Sequence, residues 1–287
     1  MAYQGFVFYE ETSHLSDQAF LNTLKCLDVA ANTIKLHKHL TQIDPTAAFI
    51  FNPDALWHPA AKVSYSLPTE LRAVPPRKFG EIGWQVDEAI VNDDTYVYQQ
   101  IISLMYENGL IDYLQERLSK NSFLQIVEIG GGYGALAYYL TRVLEGHVHY
   151  ALIDLPESLA SASIYCSTLF PDMGHGVIEN TESFALPREP GFTFIPNTLY
   201  HNLCVDDRLV ALCINTGSMA EMSATQVNDY CESIGRFMGV NGRFFEQTHS
   251  EYPLDQEKSN HVHKGYNNSS LQKPTPMHHD VRTHLSQ

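Results

Sequence analysis

The stretch Val127-Glu-Ile-Gly-Gly-Gly-Tyr-Gly134 decides the fold of this chain. It ends an apolar run that starts at Phe123, and it leads into a segment with helical periodicity over residues 134–144. A strand that ends in glycines and turns directly into a helix lets backbone amides approach a ligand closely, because glycine has no Cβ and tolerates tight turns. The stretch therefore predicts a cofactor loop between a buried strand and a helix.

Strands and helices alternate on the C-terminal side of this loop. The sequence predicts strands over 123–128, 149–154, 192–196, 209–215 and 242–248, and helices over 134–144, 156–169 and 224–238. Such alternation indicates a parallel sheet with helical crossovers. We therefore expect an α/β, Rossmann-like catalytic domain over residues 121–252.

The first 120 residues have a different pattern. Apolar residues at three- and four-residue steps predict an amphipathic helix over 16–40 and further helices over 93–108 and 110–118. A proline cluster over 44–77 predicts an irregular connection. Residues 1–120 are thus expected to form a mainly helical lid or dimerisation region, and residues 253–287 a polar, histidine-bearing tail.

Composition and charge limit the classes of partner. The chain has 287 residues, 44% of them hydrophobic, which is enough for a full core. Its formal net charge is −15, which repels polyanions and argues against a nucleic-acid partner. No apolar run is long enough to cross a membrane, and the start lacks the pattern of a signal peptide. We therefore expect a cytoplasmic protein that does not bind membranes.

The glycine loop fits two cofactor classes. Gly130, Gly132 and Ala135 meet the dinucleotide pattern G-x-G-x-x-G/A, with Asp154 in place for a ribose. The other class is a cofactor with a positive charge. Glu128, two residues before the first glycine, distinguishes between the two classes. A carboxylate at this point would repel a pyrophosphate and attract a cation, so the sequence favours a sulfonium cofactor.

The spacing Glu128-x-Gly130-x-Gly132-x-Gly134 resembles the first motif of class I S-adenosylmethionine-dependent methyltransferases. More specifically, the chain is similar to the sugar O-methyltransferases of bacterial polysaccharide and natural-product clusters. Three segments carry this resemblance, with Tyr230 downstream: Val127–Gly134, Ile153-Asp-Leu-Pro-Glu157 and Ile214-Asn-Thr-Gly-Ser-Met-Ala-Glu-Met222. The resemblance implies a Rossmann-like methyltransferase fold, S-adenosylmethionine as cofactor and methyl transfer to an oxygen. It weakens after Ser250, where no strand pair is predicted, so that either those strands are degenerate or another subunit completes the sheet.

Further cofactor contacts are expected at the strand ends. Asp154 could accept both ribose hydroxyls, or it could instead cap the helix over 156–169. Tyr133 packs either over the cofactor or into the first turn of its helix. Four more residues at or just after the ends of predicted strands are expected to contact the cofactor: Leu155, Pro196, Asn197 and Asn215.

Methyl transfer to a hydroxyl requires a general base or a metal, because a protonated alcohol is a poor nucleophile. The candidates for the base are His201, His249 and Glu221, each of which could also be an ordinary surface residue. The candidates for substrate contacts are Thr216, Ser218 and Tyr96, the last of which could equally be a core residue. The histidine spacing in the tail does not fit a structural zinc site, while Mg²⁺ held by carboxylates stays an alternative.

The leading hypothesis is O-methylation of a small hydroxylated metabolite, such as a sugar or a natural product. The sequence leaves open whether the chain forms a homodimer. One alternative is N-methylation of a small amine or peptide-derived metabolite. Another is a cofactor-binding scaffold subunit without activity, because a fold alone does not guarantee chemistry.

Overall fold

The structure is a computed structural model, and it describes residues 49–50, 67–73, 78, 82–86, 89–91, 93–179, 182–204, 210–238, 242–249 and 281–286. The chain divides into two compact units, Met1–Met105 and Tyr106–Gln287. The helix expected over 16–40 lies outside the described residues. The second unit includes the helix Leu110–Leu118, which the sequence analysis assigned to the N-terminal region.

The first unit contains a small sheet that the sequence analysis did not predict. Its strands are β1 (Phe49–Ile50), β2 (Ile82–Val86) and β3 (Ala89–Val91), and β2 pairs in parallel with β1 and antiparallel with β3. The expected helix is present as α1 (Asp93–Glu107), which continues past the division between the units. The strands were missed because β1 and β2 are short and about 30 residues apart in the sequence.

The second unit is built on a seven-stranded sheet. Its strands are β4 (Leu124–Ile129), β5 (Val148–Asp154), β6 (Gly174–Val177), β8 (Gly191–Pro196), β10 (Val210–Thr216), β11 (Arg243–His249) and β12 (Val281–Ser286). They lie in the order β12-β11-β10-β4-β5-β8-β6, and all pairings are parallel except that of β12 with β11. The remaining elements are the short strand pair β7 (Phe184–Ala185) with β9 (Leu203–Cys204) and the helices α2 (Leu110–Leu118), α3 (Ala135–Val143), α4 (Pro156–Leu169), α5 (Ser218–Glu221) and α6 (Ala224–Met238).

This arrangement confirms the expected Rossmann-like α/β fold. The five predicted strands differ from the observed ones by at most one residue at each end, and α4 and α6 have the predicted bounds. The central strand β4 is buried at every position, as expected for a parallel strand covered on both faces. Among the described residues, no helix is long and apolar enough to cross a membrane.

The end of the chain contributes a strand where the sequence analysis expected only a polar tail. β12 pairs antiparallel with β11 at six positions, from Phe244 opposite Ser286 to His249 opposite Val281. The strand alternates Val, Thr and Leu with polar residues, but six residues of alternation are too few to stand out in a polar segment. β11 is therefore paired on both sides within this chain.

The parallel sheet places the functional segments together. The carboxyl ends of β4, β5, β8, β10 and β11 all lie at one edge of the sheet, because parallel strands share a direction. In open α/β sheets, ligands bind at this edge. The glycine loop and the residues after the other strands therefore meet there.

Candidate functional site

The glycine loop connects β4 to α3 in a conformation that requires glycine. Gly130, Gly132 and Gly134 have φ angles of +74°, +55° and +86°, a region that residues with a side chain rarely adopt. The amide of Gly130 donates to the carbonyl of Ile153 at 2.8 Å, and the amide of Gly134 donates to the carbonyl of Gly131 at 2.9 Å. The loop is thereby fastened to the end of β5.

Close packing holds the loop on both sides. A Cβ on Gly131 would lie 2.9 Å from Leu152 Cδ2 and 3.2 Å from Glu128 Oε2. A Cβ on Gly130 would overlap the hydroxyl of Ser218. The sequence motif thus reflects tight packing as well as backbone conformation, and Gly131, which the sequence analysis did not single out, is part of it.

Asp154, at the end of β5, bonds directly to the glycine loop. Its Oδ2 accepts the amide of Gly132 at 2.7 Å, and its Oδ1 accepts the amide of Leu155 at 2.6 Å. Burial raises the pKa of this carboxyl, while the two backbone hydrogen bonds favour its ionised form. The N-cap of α4 is Leu155, which makes no side-chain cap bond, so Asp154 does not occupy the cap position; its carboxyl also has a hydrogen bond with the side chain of Ser158 in the first turn of α4. Its ribose contact stays a prediction, to which each carboxylate oxygen can contribute a further lone pair.

Glu128 lies beneath the loop and is 1% exposed. The hydroxyl of Tyr150 donates to its Oε2 at 2.8 Å. Burial raises the pKa of Glu128 to about 8, with a smaller upward contribution from Asp154, and the Tyr150 bond acts in the opposite direction. At neutral pH the free carboxyl is therefore mainly protonated. Burial thus disfavours the ionised form on which the expected attraction of a cation to Glu128 depends, and this expectation stays a prediction, because the type of residue alone does not set its ionisation.

Asn215 and Ser218 connect the end of β10 to the end of β4. The side-chain amide of Asn215 donates to the carbonyl of Ile129 at 2.9 Å and to the hydroxyl of Ser218. Ser218 Oγ donates to the same carbonyl at 3.2 Å. Asn215 is fully buried, so the contacts predicted for these two residues would require them to exchange bonds that they make within the protein. Thr216, between them, is half-buried at the end of β10.

The turn after β8 lies beside Asp154. The amide of Asn197 donates to the backbone carbonyl of Asp154 at 2.8 Å, and both Pro196 and Asn197 are half-buried. Leu155, the next residue along the chain, has 52% of its surface exposed. Pro196, Asn197 and Leu155 therefore all lie next to the backbone of Asp154, and their cofactor contacts stay predictions.

Tyr133 is 6% exposed and packs edge-on against Tyr165, with 5.2 Å between the ring centroids. In this position it fills the space between α3 and α4, in agreement with the packing alternative. A contact of its ring with a cofactor would require the ring to leave this position. The side chains of two other predicted site residues, Tyr96 and His249, lie outside the described part of the structure; their backbones belong to α1 and to the end of β11.

An aromatic stack lies at the same edge of the sheet. The rings of Tyr200 and Tyr230 are stacked with 4.4 Å between centroids, and the imidazole of His201 lies 3.9 Å from the ring of Tyr200. Both tyrosines are buried, and His201 is exposed. Burial raises the pKa of Tyr200 to about 12, so its hydroxyl stays protonated at neutral pH. The sequence analysis did not identify Tyr200, because stacking between separate segments leaves no local signal.

Glu221 ends α5 and is exposed. Its charge is among the causes that raise the pKa of Asp154, which places the two carboxylates within electrostatic reach of one another. Within the described residues, no group of three or more His, Cys, Asp or Glu side chains is arranged to hold a metal ion.

No known protein family and no curated protein matches this sequence. Solved structures with a similar chain trace include a TehB-like SAM-dependent methyltransferase from Corynebacterium glutamicum, with 12% identity and a TM-score of 0.40 over 65% of this chain and 96% of that chain. The pyocyanin biosynthetic protein PhzM has 10% identity and a TM-score of 0.42, over 68% of this chain and 59% of that chain. Magnesium protoporphyrin IX methyltransferase from Synechocystis PCC 6803, with bound SAM, has 8% identity and a TM-score of 0.39, over 68% of this chain and 84% of that chain. Likeness at these values concerns the fold at most, so the residues of the site must carry any functional assignment.

Proposed function

We propose that this protein is an S-adenosylmethionine-dependent methyltransferase that acts on a hydroxyl of a small metabolite. The observation that carries the proposal is the bond between the Gly132 amide and the Asp154 carboxylate. This bond occupies a loop amide that a pyrophosphate would need, and it places an acid at the mouth of the loop. A ribose with a neutral or cationic extension fits this site better than a dinucleotide.

The residues around the loop fit the parts of S-adenosylmethionine. Asp154 would accept the ribose hydroxyls through its remaining lone pairs. Leu155 provides an exposed apolar surface for the adenine, and Asn197 is bonded to the backbone carbonyl of Asp154. The glycine loop, with Glu128 beneath it, would hold the methionine part. When bound, the cofactor supplies a methyl group on a sulfonium, and the protein must hold the acceptor oxygen in line with it.

The protein's own contribution to the reaction is positioning and proton removal. Glu221 and His201 are both exposed near this edge of the sheet, and either could accept the proton of an acceptor hydroxyl. We favour Glu221, because α5 is tied to the glycine loop through Asn215 and Ser218. The segment Ile214–Met222, which also carries the resemblance to sugar O-methyltransferases, supports a sugar or another polyhydroxylated acceptor.

Calorimetry with S-adenosylmethionine and with NAD tests the cofactor assignment. We expect the wild-type protein to bind S-adenosylmethionine and not NAD. We expect Asp154→Asn to weaken this binding roughly 10- to 100-fold, which corresponds to the loss of hydrogen bonds to a charged group of about 1.5 to 3 kcal/mol. Asp172→Asn is the matched control, because Asp172 is exposed and follows the far end of α4. Binding of NAD in place of S-adenosylmethionine would contradict the proposal.

Mass spectrometry of candidate acceptors, for the gain of one CH₂ group, tests the reaction. Products from sugars or other alcohols support O-methylation. Products from amines alone would assign N-methylation instead. Tight cofactor binding without any product across sugars, amines and peptides would assign a scaffold subunit.

A further inference from the structure

Glu128 and Tyr150 form a buried pair directly under the cofactor loop. Glu128 Oε2 lies between the Tyr150 hydroxyl, 2.8 Å away, and Gly131, on which an added Cβ would meet the same oxygen at 3.2 Å. Tyr150 is fully buried in β5, and Glu128 is 1% exposed. Tyr150 therefore cannot reach a ligand in the loop, but it fixes the position of the carboxyl that lies under that loop.

The surroundings of this carboxyl disfavour its ionised form. The groups recorded around it are Tyr150 and Asp154 on β5 and the thiol of Cys166 on α4. None of them is a cation, and the charge of Asp154 opposes a second negative charge nearby. The Tyr150 hydroxyl is the one neighbour that favours ionisation, because it donates a hydrogen bond to the carboxyl.

We infer that cofactor binding releases a proton from Glu128 to solvent, and that Tyr150 is a positioning residue which makes this release possible. The inference rests on the proposed function, because it requires a ligand with an ammonium group next to the loop. The free carboxyl keeps its proton in the absence of a positive charge. The ammonium of the methionine part provides that charge, so the carboxyl ionises and the proton leaves.

Because binding is coupled to the loss of a proton from Glu128, the affinity for the cofactor depends on pH. The pKa of Glu128 in the free protein is raised to about 8, and a neighbouring ammonium lowers it in the complex. Below pH 8, binding must expel the proton, so the affinity falls as the pH falls. Between pH 6 and pH 7 the affinity should therefore rise by up to about tenfold, and the rise should slow toward pH 8, where the ammonium of the ligand also begins to lose its proton.

Calorimetry at pH 7 in phosphate and in Tris measures the number of protons released per bound ligand. We expect the wild-type protein to release nearly one proton more than Glu128→Gln. The comparison with this variant is necessary because the α-amino group of the ligand itself titrates near pH 8. At pH 7 the free ligand is already mostly protonated, so this contribution is small in both proteins and largely cancels in the difference.

Tyr150→Phe tests the positioning role. Without the hydroxyl, Glu128 ionises less readily, so we expect the affinity at pH 7 to fall roughly tenfold. The loss should shrink at pH 9, where the carboxyl ionises even without Tyr150. The matched control is Tyr138→Phe, which removes a hydroxyl from another buried tyrosine and should leave the pH profile unchanged.

Three outcomes would overturn the inference. Equal proton release by the wild-type protein and Glu128→Gln would show that Glu128 does not titrate on binding. A loss in Tyr150→Phe that is the same at pH 7 and pH 9 would assign Tyr150 a merely structural role. If Glu128→Gln does not fold, a flat affinity profile of the wild-type protein between pH 6 and pH 8 has the same meaning. Failure of the wild-type protein to bind the ligand at all would instead refute the proposed function.

Discussion

Two carboxylates of the candidate site belong to the segments on either side of β4: Asp154 ends β5, and Glu221 follows β10. Asp154 is half-buried and bonded to two backbone amides, whereas Glu221 is exposed. The two acids therefore suit different tasks. The first is fixed and accepts hydrogen bonds, and the second is free to approach a substrate hydroxyl.

We expect Glu221→Gln to lower kcat about 10²- to 10⁴-fold, the usual contribution of a general base. The Kd for S-adenosylmethionine should change little, because Glu221 makes no bond to the glycine loop or to Asp154. Steady-state kinetics with an acceptor identified by mass spectrometry, together with calorimetry, give the two values. His201→Gln is the comparison. If that variant shows the large loss of kcat and Glu221→Gln does not, the base is His201.

At the scale of elements, the glycine loop and α5 act as one packed unit. Gly130 and Ser218 are in direct contact, and Asn215 joins both segments to the carbonyl of Ile129. The end of β10 therefore supports the loop that follows β4. A substitution in either segment should therefore alter the packing of the other.

We expect Gly130→Ala to destabilise the protein by about 2 to 4 kcal/mol, because it combines a strained φ of +74° with an overlap of the new Cβ and Ser218. Thermal and denaturant unfolding measure this loss. Gly146→Ala is the matched control: its φ is +79°, but nothing lies within 4 Å of the added Cβ, so it reports the backbone strain alone.

The double variant Gly130→Ala with Ser218→Gly separates the two contributions. Removal of the Ser218 side chain relieves the overlap, so the double variant should be more stable than the sum of the single changes predicts. Strict additivity would show that the contact between Gly130 and Ser218 does not determine the stability of the loop.

At the scale of the whole molecule, two buried acids make the stability of the fold depend on pH. Besides Glu128, Glu246 on β11 is fully buried, and neither of its oxygens has a hydrogen-bond partner among the described residues. Burial raises the pKa of Glu246 to about 8. In the unfolded chain the same group has the ordinary value of about 4.5. As the pH rises between these two pKa values, Glu246 loses its proton in the unfolded state but keeps it in the folded state.

The free energy of unfolding should therefore decrease as the pH rises from about 5 to 8, because the folded state binds more protons over this range. We expect Glu246→Gln to flatten this dependence and to stabilise the protein at pH 8, relative to wild type, by an amount on the order of a few kcal/mol. Urea unfolding at pH 5 and pH 8 measures the effect. Glu182→Gln, an exposed change, should alter neither value. A wild-type protein that is equally stable at both pH values would contradict the prediction.

Much of the fold and part of the candidate site could be predicted from the sequence. The bounds of α4 and α6 were predicted because they depend on local signals, such as Pro156 at the start of α4 and apolar periodicity along α6. The glycines of the loop were identified because positive φ angles require that residue type. β1 and β12 were missed because each pairs with a distant segment, whereas β2 and β3 form a local hairpin that the sequence analysis overlooked.

The sequence by itself determined the alternation of strands and helices, the position of the glycine loop and the presence of acids at the strand ends. Only the tertiary structure decided what those acids do. In the folded chain, Asp154 accepts a hydrogen bond from a loop amide 22 residues away, and Asn215 donates one to a carbonyl 86 residues away. Glu128 is buried and accepts a hydrogen bond from Tyr150. The physical reason is that hydrogen-bond partners and ionisation depend on burial and on contacts between distant segments, whereas helix starts and glycine turns depend on neighbouring residues.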